Sequence, residues 1–359
     1  MGALLLGFAG SFAQSVATPP TQLHGGTLTD FAPPKRFLEL RLCAFADTNV
    51  RPLQERGVVA DFSGGRAYFR NASLSEARLR LNRWELRLAY GQADDYTGNT
   101  GAARLFLEAE QQQLLPDTEY PVAATLNRSA VRSWTVAYHG AWNSHNSKVR
   151  YTIGLSYLNL QRVQLGWLQG QKQGDTLEGD LTLLTTRGVP PSEIGGEGYA
   201  LSAGVALESG DWTLGVSVQN LWSHLRVRQL QRIEADVRVN RLVPDADGFL
   251  RAPPALEGRV EKLAIQRAAR PHTEIALWRM GKTTDVGLLA FYESEWRTGL
   301  AFGWRGHRSM VWAAYWQPYP VLWLGYEQAH WHITLGADFW NGSTLRRFYV
   351  ELGWRVLVE

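Results

Sequence analysis

The chain reads as all-β: an antiparallel transmembrane β-barrel of about 12–14 strands with a plug-like N-terminal segment. Three observations predict this. Trp134 and Trp142, Trp296 and Trp304, and Trp331 and Phe339 lie eight residues apart on one face of alternating runs. Eight strand residues at ~3.3 Å rise cover roughly 26 Å, and a tilt of about 40° leaves roughly 20 Å across a bilayer. That approaches the ~25 Å apolar band, edged by aromatic girdles, of an outer-membrane barrel. The composition agrees: 15 Trp, 13 Tyr and 35 Gly with only 20% charged residues suits strands and turns better than helices. Finally, the connections between runs alternate between short and long, the asymmetry such barrels show between periplasm and exterior.

Several classes fall away on composition. A slightly negative mean hydropathy of -0.24 argues against a helical membrane protein but not against a barrel, whose strands turn their polar half inward. A net charge of +3, with basic residues dispersed, gives no reason to expect a nucleic-acid partner. Cys43 stands alone, so neither a disulfide framework nor a zinc cluster is expected. No cofactor fingerprint, Walker loop or metalloprotease helix is present.

Residues 1–13 carry an apolar run, Ala3 to Ala9, then Ser11-Phe12-Ala13, and read as a signal peptide. Residues 14–82 contain Pro19-Pro20 and Pro33-Pro34 with short apolar runs, Phe37 to Phe45 and Val58 to Phe62, and read as a plug or periplasmic segment. The barrel is expected over 83–359. Its first strand holds Trp84, Leu86, Leu88 and Tyr90; its second runs from Trp134 to Trp142. Val149 to Tyr157, Tyr199 to Leu207 and Trp212 to Val218 follow, each with strict period two. Arg226 to Val239, with a return arm through Val260, Leu263 and Ile265, suggests a hairpin at 223–271 standing beyond the membrane. Runs near 272–280, 284–292, 295–305, 309–317 and 320–328 come next, then Trp331 to Phe339 and Phe348 to Val358. Ser309 to Tyr326 lacks charge for 18 residues, but Pro318 and Pro320 make it a hairpin and not a spanning helix.

These are twelve strands, so both barrel ends fall on one side. Every second connection, at 143–147, Ser209-Gly210, 281–283, 305–308 and 327–330, is then periplasmic and short. The other set, including 92–131, 161–197 and 223–271, is long. One or two further strands within 36–70 or 161–190 would give fourteen.

Alternation turns Glu85, Arg87, Arg150, Arg297, Arg347, Glu351 and Arg355 toward the lumen, as a charge network filling the interior or as a ladder selecting solutes. Inward Gly154, Gly204, Gly215, Gly299, Gly303 and Gly336 would leave room for a path or let a plug pack tightly. The girdles are expected from Trp134, Trp142, Trp296, Trp304, Trp331 and Phe339. His330 and His332 share a strand face without a third ligand, and Ser144 and His145 sit in a polar turn that needs such residues for backbone reasons. Neither a metal site nor an enzyme is expected from them.

Asn71-Ala72-Ser73-Leu74 resembles the Asn-Pro-Ala-x-Leu signature that precedes the first strand in the FadL/PorV-like superfamily of outer-membrane proteins. Gly210-Asp211-Trp212-Thr213-Leu214-Gly215-Val216-Ser217-Val218-Gln219-Asn220-Leu221 resembles its mid-barrel strand ending in Asn-Leu, and the C-terminal run of short hairpins fits too. The resemblance covers 36–359 in outline; the signature proline is absent, and the chain closes on Val358-Glu359 where many such barrels end in an aromatic. It implies location in the bacterial outer membrane among its lipids. It also implies either passive transport of small, hydrophobic solutes past an N-terminal plug, or a secretion or envelope-assembly component that binds protein partners.

Overall fold

The computed structural model describes residues 36–49, 67–110, 119–144, 147–174, 176–187, 189, 194, 196–239, 243–244, 250–251, 255–269, 271–292, 296–306, 309–317, 321–328, 330–338 and 345–357. In chain order these form β1 (Phe37–Thr48), β2 (Ala67–Leu81), β3 (Trp84–Gly98), α1 (Thr100–Glu110), β4 (Glu119–Ser144), β5 (Ser147–Gln173), β6 (Thr176–Thr185), β7 (Gly196–Ser209), β8 (Trp212–Val239), β9 (Val243–Pro244), β10 (Leu250–Arg251) and β11 (Ala255–Arg267). They continue as β12 (His272–Met280), β13 (Thr284–Tyr292), β14 (Trp296–Arg305), β15 (Ser309–Gln317), β16 (Val321–Gln328), β17 (Trp331–Ala337) and β18 (Arg347–Leu357). All except β6, β9, β10, β11 and α1 belong to a closed antiparallel barrel of 14 strands. β18 closes it on β1, from Phe37↔Leu357 to Asp47↔Arg347.

Outward positions are apolar and exposed, such as Leu38, Leu40 and Leu42 on β1 and Leu300 and Phe302 on β14, while the residues between them, Glu39 and Arg41 on β1 and Ala301 on β14, are buried. Such an inside-out pattern fits a wall whose outer face meets hydrocarbon. Among the described residues no helix is long and apolar enough to cross a membrane.

The wall begins at Phe37, earlier than the boundary at 83 expected from the sequence. β1 and β2 lie inside the 14–82 stretch, and the Asn71-Ala72-Ser73-Leu74 signature sits within β2 and not ahead of a first strand. Two features hid them. Glu39, Arg41, Glu76 and Arg78 put charge at every second position, and Ser73, Ser75 and Ala77 make the outward face of β2 weakly apolar. Pairing with neighbouring strands compensates both. Residues 1–35 and 50–66, with the expected signal peptide and most of the expected plug, lie outside the described residues.

The start of β1, the end of β18 and the tight turns gather at one rim. Asn82 adopts φ 59° between β2 and β3, a left-handed conformation that Asn tolerates. Gly210 adopts φ 55° in the β7–β8 turn, whose two-residue loop is Gly210-Asp211 because Ser209 pairs with Trp212; the sequence had suggested Ser209-Gly210. At the opposite rim β4, β5 and β8 run on past the barrel. Irregularities mark the change: Gln161 is an extra residue of β5 opposite Ala130/Val131, and residues 219–221 of β8 face Ser202 alone, with Asn220 at φ 52°. Bulges bend strands and strengthen twist, so they redirect these three away from the cylinder. Beyond them β4, β5, β6, β8 and β11 form a sheet in that order, and β8 with β11 makes the hairpin expected at 223–271. Val163, Leu165, Leu184, Leu225, Val227 and Leu230 pack a small core there with Ile194.

α1 docks against the outer part of β4. Asn99 caps it, its Oδ1 accepting from Ala102 N at 2.8 Å and from Ala123 N at 3.1 Å. A Cβ at Gly101 would lie 1.9 Å from Pro121 O, so only glycine allows this approach. Lys172 and Arg104 flank the buried Glu108 at 3.4 and 3.5 Å and both lie near the Tyr120 ring. Burial first, then the Glu108 carboxylate, push the Tyr120 phenol well above its ordinary range.

Candidate functional site

The barrel interior divides into three arcs. Strands β18, β1, β2 and β3 carry charge. Arg41 Nε meets Glu351 Oε1 at 2.6 Å; Glu351 also accepts from His332 at 2.9 Å and from the Tyr349 hydroxyl. Glu39 binds Arg355 at 2.8 Å and Arg78 at 3.3 Å, and Arg78 reaches Glu85 at 3.1 Å. Glu85 also holds Arg87 and lies 3.2 Å from His139 Nε2. Near the outer rim Asp47 binds Arg347 at 2.9 Å and Arg297 at 2.7 Å. Arg297 belongs to β14, five strand steps round the wall from β1, so this pair reaches across the interior. Charges this buried persist only when paired and hydrogen-bonded, because desolvation is costly.

Strands β12 to β18 carry aromatic rings. His272, Phe291, Trp316, Trp323 and Tyr349 follow one another with ring centroids 6.0, 5.1, 5.5 and 4.3 Å apart, the last pair stacked at 3°. Each indole lies across a glycine of the neighbouring strand. Cβ atoms added at Gly287, Gly299, Gly325 and Gly336 would come within 2.6, 2.8, 2.1 and 2.6 Å of Trp278, Trp316, Trp312 and Trp323. A glycine directly opposite removes the side chain that would hold the ring upright, so the ring covers the exposed backbone. Gly299 and Gly336, expected to leave free room, are therefore beds for rings.

Strands β4, β5, β7 and β8 supply small side chains. Ser133, Thr135, Thr152, Gly154, Ser156, Gly204, Ser217 and Gln219 line a cavity of ≈ 80 Å³ that Glu76, Arg87 and His139 also touch. Thr135 and Ser156 hydrogen-bond at 2.8 Å across β4 and β5.

The structure places Glu85, Arg87, Arg297, Arg347, Glu351 and Arg355 in the charged arc. Arg150 lies apart, paired with Glu208 between β5 and β7. None of these is without a partner. Sequence reasoning missed Glu39, Arg41, Asp47, Arg78 and His332, which complete the network, and all four indoles of the aromatic arc. Trp278, Trp312, Trp316 and Trp323 sit at inward parity in their runs, and an inward Trp opposite Gly was the available signal.

Outside, Trp84, Tyr138 and Tyr151 contact one another at 5.1 and 6.3 Å toward the tight-turn rim, and Trp134, Tyr157 and Tyr199 at 5.6 and 5.5 Å toward the other. Trp142, Trp304 and Trp331 lie on the first level, and Trp296 on the second beside Tyr292 at 5.3 Å. Phe339 lies outside the described residues. His330 sits exposed in a turn with Nδ1 3.3 Å from Arg355 O, while His332 points inward to Glu351. Among the described residues no three His, Cys, Asp or Glu side chains could hold a metal ion. Ser144 ends β4 opposite Ser147, and His145 lies outside the described residues.

A closed wall, apolar outside and ion-paired inside, with two aromatic levels, defines a transmembrane β-barrel of the bacterial outer membrane. Neither a family model nor a curated protein matches the chain. Solved structures do. The P. putida toluene transporter TodX is 10% identical, with 96% of each chain covered and a TM-score of 0.46. A Pseudomonas aeruginosa FadL homologue is 10% identical over 96% of each chain, TM-score 0.44. The CymD monoaromatic hydrocarbon channel is 10% identical over 94% of this chain and 92% of that one, TM-score 0.33.

Proposed function

We propose that the protein is a passive outer-membrane channel for small hydrophobic solutes. The observation that carries this reading is the aromatic arc: a run of rings from β12 to β18 inside a wall whose other inner surfaces are mostly charged groups and small side chains. Rings on the lipid side are explained by the girdles, whereas rings inside give apolar solutes a surface that water-filled polar pores have no need of. The hydroxyl-lined cavity on β4 to β8 gives space opposite it. Residues 14–35 serve in this reading as the plug.

The test is uptake of a small aromatic hydrocarbon into vesicles holding the full-length protein. Trp316→Ala with Trp323→Ala should alter hydrocarbon flux and leave flux of a polar solute of equal size unchanged; deleting residues 14–35 should raise both. No hydrocarbon flux through the intact or the deleted protein would remove the proposal. A second reading, a secretion or assembly component, draws on β11, which pairs only with β8 among the described residues and so offers a strand edge outside the membrane. Co-purification of a stoichiometric protein that is lost when residues 240–267 are removed would favour it.

A further inference from the structure

The lipid-facing surface carries a groove of its own. Leu42, Ser75, Tyr90 and Arg132 form one cross-strand row on β1 to β4, and Leu40, Ala77, Leu88 and Trp134 form the next. Ser75 and Ala77 are the small members of both rows, so β2 is a furrow between walls of Leu40 and Leu42 on one side and Leu88 and Tyr90 on the other. Its volume is ≈ 470 Å³, and Arg132 and Trp134 bound it. Two strand spacings separate the walls, about 9.6 Å between backbones, which leaves the width of one extended hydrocarbon chain between the side chains.

Arg132 stands exposed directly above the Trp134 level, toward the rim with the long connections. Among the described residues it has no hydrogen-bond or ion-pair partner. Nearby, Arg128 is committed to Asp94 through contacts of 2.6 and 3.0 Å, while Arg162, exposed on β5 opposite Ala130, donates only to the neutral Gln164 Oε1 at 2.9 Å and keeps its charge unpaired among the described residues. An unpaired guanidinium facing lipid at the headgroup level, in the same cross-strand row as Ser75 and bounding a chain-wide furrow beyond Tyr90 and Leu88, is complementary to an anionic headgroup that carries acyl chains. Its height assigns that lipid to the outer leaflet.

We infer that the β1–β4 surface is a docking site for a phosphorylated, multiply acylated lipid of the outer leaflet, the chemistry of lipid A. Arg132, with Arg162 beside it, holds a phosphate while one acyl chain lies over Ser75 and Ala77. The site is on the outside of the wall and is independent of what passes through the lumen.

The test uses the full-length protein in nanodiscs of phosphatidylcholine, with native mass spectrometry counting retained lipid after addition of lipid A, dephosphorylated lipid A or phosphatidylglycerol. One lipid A should be retained. Removing its phosphates, or Arg132→Gln, should weaken retention about tenfold, the scale of one charge-assisted hydrogen bond. Ser75→Leu should block the furrow and weaken retention with Arg132 intact, whereas Arg128→Gln should have little effect. The dephosphorylated lipid needs no variant and so reads the phosphate contact even if a substitution impairs folding. Equal retention of phosphatidylglycerol or dephosphorylated lipid A, or undiminished retention by folded Arg132→Gln and Ser75→Leu, would overturn the inference.

Discussion

Gly336→Ala offers the sharpest test of how the interior is packed. The added Cβ would lie 2.6 Å from Trp323 Cδ1 and 2.7 Å from Nε1. The indole has little freedom to retreat, because its other face stacks on Tyr349 at 4.3 Å. Overpacking of this kind costs about 1–3 kcal/mol. Loss of the stack adds about 0.5–1.5 kcal/mol. Against these, replacing a strand glycine by alanine returns roughly 0.5–1 kcal/mol. The net expectation is a destabilisation of about 1–3 kcal/mol. Gly154→Ala is the matched control, since its Cβ would meet Thr135 Cγ2 at 3.5 Å, Ala137 Cβ at 3.6 Å and Val136 O at 3.9 Å, ordinary contacts. Urea unfolding in lipid vesicles, followed by Trp fluorescence, measures both. In a Trp323→Ala background the added methyl at 336 should cost nothing, so the double-mutant cycle should close with a coupling of about 1–3 kcal/mol. Equal stability of the Gly336→Ala and Gly154→Ala proteins would refute the ring-on-glycine packing.

Asp47→Asn should destabilise the barrel by about 2–3 kcal/mol in the same unfolding assay, because it leaves two partly buried guanidiniums short of the buried carboxylate they share. Asp338, 3.5 Å from Arg347, compensates only one of them. Tyr120 gives a pH dependence: its folded phenol titrates above the ordinary tyrosine range, so the unfolded state loses its proton first. The contribution is constant below about pH 10 and stability then falls as pH rises. The urea midpoint of the wild type should therefore drop more than that of Tyr120→Phe between pH 8 and pH 11, and equal drops would contradict the assignment.

The wall was legible where outward residues were large and apolar. The strands near 284–292, 309–317 and 272–280 match β13, β15 and β12, where Val286 and Leu288, Val311 and Tyr315, and Ile275 and Leu277 face outward. β1 and β2 were not, because their inward halves are charged and β2 turns Ser and Ala to the lipid. Parity gave the inward direction of Glu85, Arg297 and Glu351, but not their partners: Asp47 and Arg297 are 250 residues apart and meet only once the barrel closes. The aromatic arc escaped notice for a related reason. An inward Trp reads like a girdle Trp until the strand across from it is known to present glycine.

The most direct test of the whole account is a spin-label scan of β14 in lipid vesicles, residue by residue from Thr298 to Trp304, in a Cys43→Ser background. Accessibility to dissolved oxygen should be high at Leu300, Phe302 and Trp304 and low at Ala301 and Gly303, repeating every second residue. Uniformly low values on both faces would mean two layers enclosing a dry centre, and would contradict a wall whose apolar side meets the bilayer.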